Sequence, residues 1–169
     1  MSTLDPLIIA QVDALLTDEH NPITALANAA ALLYNSMSDL NWAGFYLYSE
    51  TTDSLDLGPF QGQVACMHIQ PGRGVVGTSY RQNQALRVPN VHEFAGHIAC
   101  DAASNSEVVI PLSVNGRVIG VLDIDSPLLD RFSESDLKTL QDFAQALTPH
   151  LDATILRKVY WPASNLMQQ

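Results

Sequence analysis

The sequence has little positive charge, few cysteines and no long apolar run. Eight lysine and arginine residues stand against eighteen aspartate and glutamate residues, giving a formal net charge of −10 over 169 residues. An acidic chain repels phosphate backbones and anionic lipids, so we expect no role at nucleic acid or at a membrane surface. The apolar runs are far shorter than the ~20 residues that a membrane-spanning helix needs, and the first residues lack the basic and then apolar pattern of a secretory signal. We therefore expect a cytoplasmic protein.

The two cysteines, Cys66 and Cys100, exclude a fold held together by several disulfide bonds. In a cytoplasmic chain, two cysteines are more often redox-active, catalytic or inert than joined in a structural bridge. Cys100 follows His97 in a segment without periodicity, where an imidazolium would lower the pKa of the thiol and Asp101 would raise it. A role as buried apolar filler stays open for both cysteines.

The composition that remains is that of a globular domain, 47% hydrophobic and 15% charged. We expect one domain at residues 1–160 and a C-terminal tail at residues 161–169. Helical spacing and alternation of apolar residues predict helices at 4–16, 21–38, 75–81 and 133–155, strands at 42–48, 54–58, 65–69, 85–88, 108–114 and 118–125, and a shaped glycine- and proline-rich loop at 58–62. This order predicts an α+β domain in which helices pack on one face of an antiparallel sheet and the other face holds a ligand.

Two pairs of residues are candidates for one wall of such a ligand pocket. Asp123 and Asp125 are two apart on a predicted strand and therefore share one face. They fit either a solvated strand end or a pocket that binds a cation, in which at least one acid has a raised pKa and can donate a proton. Trp42 and Tyr46 are four apart on another strand, so they also share a face, either in the core or as an aromatic wall.

A third acid, Glu107, joins the two aspartates only if the register of its strand is shifted. Asn115-Gly116 between apolar runs predicts a two-residue hairpin turn, because both positions need positive φ. Counting back from that turn places Glu107 opposite Ile124, on the wrong face. A β-bulge would correct the parity, and Pro111, which has no N–H to donate, is the place where we suspect one.

A zinc site is the rival interpretation of the cysteines. Cys66 and His68, together with His97 and Cys100, offer two sulfur and two nitrogen ligands for tetrahedral zinc. The spacing matches no common zinc finger or ribbon, which disfavours this reading, so we predict no metal.

Several segments together resemble the free methionine-(R)-sulfoxide reductase family, whose members are single GAF-domain enzymes. The resemblance covers nearly the whole chain. The segments that carry it are residues 41–46 (Asn-Trp-Ala-Gly-Phe-Tyr), 58–66 (Gly-Pro-Phe-Gln-Gly-Gln-Val-Ala-Cys), 89–91 (Pro-Asn-Val), 96–101 (Gly-His-Ile-Ala-Cys-Asp), 106–111 (Ser-Glu-Val-Val-Ile-Pro) and 120–126 (Gly-Val-Leu-Asp-Ile-Asp-Ser). The resemblance implies a six-stranded antiparallel sheet with helices against one face and a closed pocket for free methionine sulfoxide on the other.

The resemblance also implies roles for the two cysteines. Cys100 attacks the sulfoxide and becomes a sulfenic acid, and Cys66 resolves that intermediate as an intramolecular disulfide. Thioredoxin is the expected external reductant, and no organic cofactor is needed because sulfur carries both electrons. Relatives often have a third cysteine where this chain has Val76, which puts a three-cysteine relay in doubt.

The acids and aromatic residues complete the expected site. We assign Asp125 to catalysis and Glu107, Asp123, Trp42 and Tyr46 to substrate binding, with the division among the three acids left open. Some of these acids would bind the substrate ammonium, and one would polarise or protonate the sulfoxide oxygen. The alternative is a non-catalytic GAF sensor that binds a small molecule. A homodimer is compatible with the sequence, which does not fix the oligomeric state.

Overall fold

The computed structural model describes residues 3–98, 100 and 102–163. The helices are Leu7–Leu15 (α1), Pro22–Ser36 (α2), Gly74–Gln82 (α3), Glu134–Leu147 (α4) and Ala153–Tyr160 (α5), with short 3₁₀ turns at Val91–Glu93 and Thr148–His150. The strands are Trp42–Ser49 (β1), Ser54–Gly62 (β2), His68–Ile69 (β3), Leu86–Val88 (β4), Ser106–Val114 (β5) and Arg117–Ser126 (β6). They form one antiparallel sheet in the order β3-β2-β1-β6-β5-β4, so the α+β prediction is confirmed. No described helix combines the length and apolar character that crossing a membrane requires.

The larger apolar core lies on one face of this sheet, under helices α1, α2 and α4. The strands contribute every second residue to it, as the two-residue period of a strand requires. On β6, Leu122 and Ile124 are completely buried in this core, while Asp123 between them points to the opposite face. The short helix α3 lies on that opposite face, where its Val75 and Val76 belong to a second, smaller apolar cluster.

The helix starts follow the capping signals of the sequence. Asn21 caps α2 by accepting hydrogen bonds from two backbone N–H groups, and Pro22 occupies the first turn, where its missing N–H removes no helical hydrogen bond. Ser133 and Asp136 form the capping box predicted for α4.

The prediction of one continuous helix across residues 133–155 is wrong. Helix α4 ends at Leu147, and Pro149 lies in the 3₁₀ turn that follows, because proline has no N–H for the helical hydrogen bond and its ring clashes with the preceding turn. The chain then continues as α5.

Trp161, predicted to begin the tail, is buried and donates from Nε1 to the carbonyl of Tyr48 at 2.9 Å. Residues 164–169 lie outside the described part of the chain.

Strand β2 is longer than predicted, because it includes the predicted loop at residues 58–62. The register between β1 and β2 shifts so that Gly58 and Pro59 lie opposite the single residue Phe45. In such a bulge the missing N–H of proline costs no ladder hydrogen bond. The predicted strand at 65–69 is correspondingly shorter and pairs only through His68 and Ile69.

The hairpin of β5 and β6 contains the expected turn and a bulge at an unexpected place. Asn115 and Gly116 have φ values of 52° and 77°, as a two-residue turn with positive φ requires. The register shifts between Leu112 and Ser113, where β6 contains the extra residue Ile119. The predicted shift of parity is therefore confirmed, but its location at Pro111 is wrong, since Pro111 pairs in regular register.

Candidate active site

The face of the sheet opposite the main core forms one side of a pocket. The pocket encloses about 550 Å³, including the part that opens to solvent. Strands β1, β5 and β6 supply its floor, the start of α3 supplies one wall, and the segment between β4 and β5 supplies another. Its lining residues are Trp42, Tyr46, Ala65, Ile69, Arg73, Gly74, Val75, Val76, His97, Ile98, Cys100, Ser104, Glu107, Asp123 and Asp125.

Three carboxyl groups meet on the floor of the pocket. The bulge at Ile119 brings Glu107 directly opposite Asp125, and Asp123 lies on the same face two residues earlier. One oxygen from each group lies within 4.8 Å of the others. Glu107 and Asp123 are buried, and Asp125 is partly exposed.

This crowding keeps part of the group protonated. Burial and the charges of the two aspartates raise the pKa of Glu107 well above its usual value. Burial also raises the pKa of Asp123 to about 6, although hydrogen bonds from Glu107 and from the backbone of Ile124 oppose the rise. Glu107 therefore holds a proton and shares it with the aspartates through hydrogen bonds.

One acceptor in this group has no partner among the described residues. Oδ1 of Asp123 is buried and accepts no hydrogen bond from the described part of the chain. A buried acceptor without a partner costs about 1–3 kcal/mol, so a ligand donor placed here would recover that loss. The pocket thus offers a site for a cationic N–H group.

The two cysteines are joined to each other. Cys66 and Cys100 form a disulfide with a Cα–Cα distance of 5.3 Å across 34 residues of sequence, well within the range that disulfide geometry allows. Cys100 lines the pocket, and Cys66 packs beside the second apolar cluster. The disulfide therefore joins Cys66 to the pocket that holds Cys100 and the three acids.

The histidines give no support to zinc ligation. Both sulfur atoms are consumed by the disulfide, and Nδ1 of His68 pairs with Asp56 at 2.7 Å. His97 lines the pocket, where burial and the neighbouring His92 lower its pKa. A neutral imidazole does not supply the cation that would lower the pKa of the Cys100 thiol, and Asp101 lies outside the described residues.

Trp42 and Tyr46 lie on one face of β1, as their spacing predicts, where they belong to the second apolar cluster and also form an aromatic wall of the pocket. The rings of Trp42 and Tyr46 stack with centroids 5.8 Å apart, and Phe60 stacks on the other side of Trp42 at 5.2 Å. Burial, followed by the charges of the nearby acids, raises the pKa of Tyr46 so far that its hydroxyl stays protonated. This hydroxyl and the indole N–H donate to carbonyl groups of the chain that leads to Cys66.

The structure therefore places all the predicted site residues at one location. Six of them line the pocket, and Cys66 is attached to it through the disulfide. Among the other lining residues are the polar side chains of Arg73 and Ser104, which were not predicted as site residues. Arg73 lies in the sequence Pro71-Gly72-Arg73-Gly74, which indicates only a turn, and Ser104 belongs to the segment without periodicity that contains Cys100, so neither carried a signal of its own.

The sequence and the fold are similar to those of known proteins. The GAF domain family matches residues 21–150. The protein YtsP of Bacillus subtilis is 52% identical over 141 residues, which are 83% of this chain and 86% of that protein. The free methionine-R-sulfoxide reductase of Escherichia coli is 49% identical over 148 residues, or 88% of each chain. The X-ray structure of free methionine-R-sulfoxide reductase from Neisseria meningitidis in complex with its substrate is 40% identical and superimposes with a TM-score of 0.81 over 85% of each chain.

Proposed function

Because this chain belongs to the GAF family and, within it, to the free methionine-R-sulfoxide reductases, we propose that it reduces free methionine R-sulfoxide to methionine. One observation carries the proposal: a disulfide of Cys66 and Cys100 forms at a pocket that also holds three acids. A thiol pair supplies two electrons, and an acid supplies the proton that a sulfoxide oxygen needs when its bond to sulfur breaks.

In the first half of the reaction the thiolate of Cys100 attacks the sulfoxide sulfur. This attack forms a bond between the two sulfur atoms while the sulfoxide oxygen takes up a proton. The hydroxyl group then passes to the Cys100 sulfur as the substrate's sulfur–oxygen bond and the new sulfur–sulfur bond both break, so methionine leaves with its sulfur reduced by two electrons and Cys100 becomes a sulfenic acid. Glu107 holds a proton next to Asp125. The pair therefore delivers that proton to the oxygen, with Asp125 as the predicted catalytic partner.

The rest of the pocket fits a free amino acid. The unpartnered Oδ1 of Asp123 accepts a hydrogen bond from the substrate ammonium, and Arg73 at the rim faces the carboxylate. The thioether packs against the wall of Trp42 and Tyr46. A methionine sulfoxide within a protein chain has neither of these terminal charges, so it would leave Asp123 unpaired.

In the second half, the thiol of Cys66 attacks the sulfenic sulfur of Cys100. The sulfur–oxygen bond of the sulfenic acid breaks, water leaves, and the disulfide forms. An external dithiol then restores both thiols by exchange, and thioredoxin is the reductant that we propose. No organic cofactor takes part in this cycle.

The direct test supplies racemic free methionine sulfoxide with thioredoxin, thioredoxin reductase and NADPH. Consumption should stop when the R epimer is exhausted, at half of the sulfoxide added. Cys100→Ser should lower the rate to that of the reaction without enzyme, because no other thiol faces the pocket in the described residues.

A second variant separates the two halves of the cycle. Cys66→Ser should release one methionine per protein and then stop in the thioredoxin system, because its sulfenic acid has no resolving thiol. Turnover of Cys100→Ser at the wild-type rate, or no methionine from the wild-type protein, would contradict the proposed function.

A further inference from the structure

The segment that carries Cys66 is attached to the aromatic wall of the pocket. Residues 63–67 lie between β2 and β3 and belong to neither strand. Within the described chain, two side-chain hydrogen bonds hold residues 63–66, and the carbonyl of Met67 accepts a hydrogen bond from the backbone N–H of Leu57 at 2.9 Å. Nε1 of Trp42 donates to the carbonyl of Gln63 at 3.1 Å, and the hydroxyl of Tyr46 donates to the carbonyl of Cys66 at 2.9 Å.

The donors are buried, and the first part of the segment that they hold is exposed, whereas Ala65 and Cys66 are partly buried against the second apolar cluster. Trp42 and Tyr46 are each 2% exposed on the central strand β1 and stack on each other. Gln63 and Val64, in contrast, are exposed, and Val64 is 86% exposed. Only the disulfide adds a covalent attachment to this segment, and that attachment is lost whenever the cysteines are reduced.

We propose that Tyr46, assisted by Trp42, is a positioning residue for Cys66. In the reduced protein, its hydrogen bond to the Cys66 carbonyl keeps the resolving thiol within disulfide distance of Cys100. This inference rests on the proposed function and assigns the two aromatic residues a second task beside contact with the substrate.

The task belongs to one step of the cycle. The thiol of Cys66 must meet the sulfenic sulfur of Cys100 with the two Cα atoms no more than about 7 Å apart. A freely moving segment would satisfy this condition for a fraction of the time, and the rate of disulfide formation would fall by that fraction. The step that precedes it, attack of Cys100 on the substrate, does not involve Cys66.

The test uses Tyr46→Phe, which keeps the ring and removes the donor. Reduced protein is freed of reductant and mixed with methionine sulfoxide. Methionine release and disulfide formation are then followed separately, the second by loss of free thiols and by intact mass. We expect disulfide formation slower by about fivefold, the size expected for one net hydrogen bond, and more Cys100 sulfenic acid trapped by dimedone. Because Tyr46 also contacts the substrate, methionine release is measured in the same samples, and the positioning role predicts that the disulfide step is slowed more than this release.

A second arm replaces the substrate by hydrogen peroxide. Peroxide oxidises the Cys100 thiolate to the sulfenic acid with release of hydroxide, so this arm measures disulfide formation without the reductase reaction. Slow disulfide formation in Tyr46→Phe after peroxide would support the positioning role even if the wild-type protein released no methionine from the sulfoxide. In that case the proposed function would fail and the inference would stand.

The matched control is Tyr48→Phe on the same strand, whose hydroxyl bonds instead to Asp53 at 2.7 Å. It should form the disulfide at the wild-type rate in both arms. Trp42→Phe, measured alongside, should show a smaller effect because Gln63 is three residues from Cys66. Disulfide formation in Tyr46→Phe at the wild-type rate after peroxide would overturn the proposal. So would a slower release of methionine with an unchanged disulfide step.

Discussion

The two faces of the sheet are built by the same strands but bury different kinds of side chain. Facing the helices, β1 and β6 bury Phe45 and Leu122 among other hydrocarbon side chains. One residue along the same strands, the pocket face buries Tyr46 and Asp123, with Glu107 of β5 on the same face. Burial of apolar area stabilises a fold, whereas burial of a carboxyl group costs free energy unless it is well hydrogen-bonded. The first face contributes apolar burial alone, whereas the second combines a smaller apolar cluster with carboxyl groups whose burial lowers the stability of the fold.

This difference predicts that the two faces respond oppositely to substitution. A change under the helices should lower the free energy of unfolding and leave the site intact. A change among the pocket acids should damage substrate binding and leave the fold intact or more stable.

The largest effect is expected from Leu26→Ala on the helix side. Leu26 is completely buried between α2 and the sheet, and truncation of a buried leucine leaves a cavity that costs about 2–5 kcal/mol. Urea denaturation should show that loss, while the KM for methionine sulfoxide should stay at the wild-type value. Leu7→Ala, at a residue 58% exposed on α1, is the control and should change stability by less than about 0.5 kcal/mol.

The next effect is expected from Asp123→Asn on the pocket side. The variant keeps the size of the side chain but removes the charge that faces the substrate ammonium. Hydrogen bonds to charged groups contribute about 1.5–3 kcal/mol, so KM should rise by about ten- to a hundredfold with saturating reductant. Asp142→Asn removes one surface carboxylate that pairs with Lys138 and should leave KM unchanged. An unchanged KM in Asp123→Asn would show that the pocket face does not bind the ammonium there.

The order of helices and strands was predictable because the residues buried between the helices and the sheet follow the regular spacing of apolar residues in helices and strands. Alternation placed Asp123 and Asp125 on one face, and the capping box at Ser133 marked the start of α4. The predicted continuation of α4 through Pro149 was wrong. Apolar residues keep a helical spacing on both sides of Pro149, although the proline itself ends the helix.

The site was predictable in its residues but only partly in its geometry. Glu107 reaches the aspartates through a bulge at Ile119, and isoleucine carries no local signal for a bulge. The pairing of Gly58 and Pro59 opposite Phe45 likewise depends on contacts between strands rather than on local propensity. The hydrogen bond from Tyr46 to Cys66 joins residues 20 apart in sequence, so no spacing rule could indicate it.

The smallest effect tests whether the pocket acids reduce stability, and it depends on pH. Burial raises the pKa of Asp123 from the ordinary 3.8 to about 6, so the folded protein holds a proton that the unfolded chain releases. Below pH 3.8 both states are protonated and the residue costs nothing through ionisation. As pH rises from 3.8 to about 6, Asp123 ionises in the unfolded chain but stays protonated in the folded protein. Ionisation lowers the free energy of the unfolded state alone, so the wild-type protein loses stability relative to Asp123→Asn. The difference in unfolding free energy between the two proteins should grow by roughly 2–3 kcal/mol over this window and stay constant above it. Urea denaturation of both proteins from pH 4 to 7.5, with Asp142→Asn as the control for loss of one charge, measures this difference. A difference that does not change with pH would mean that Asp123 has the same pKa in the folded and the unfolded protein. Of the buried acids, Glu107 alone would then lower the stability of the pocket face.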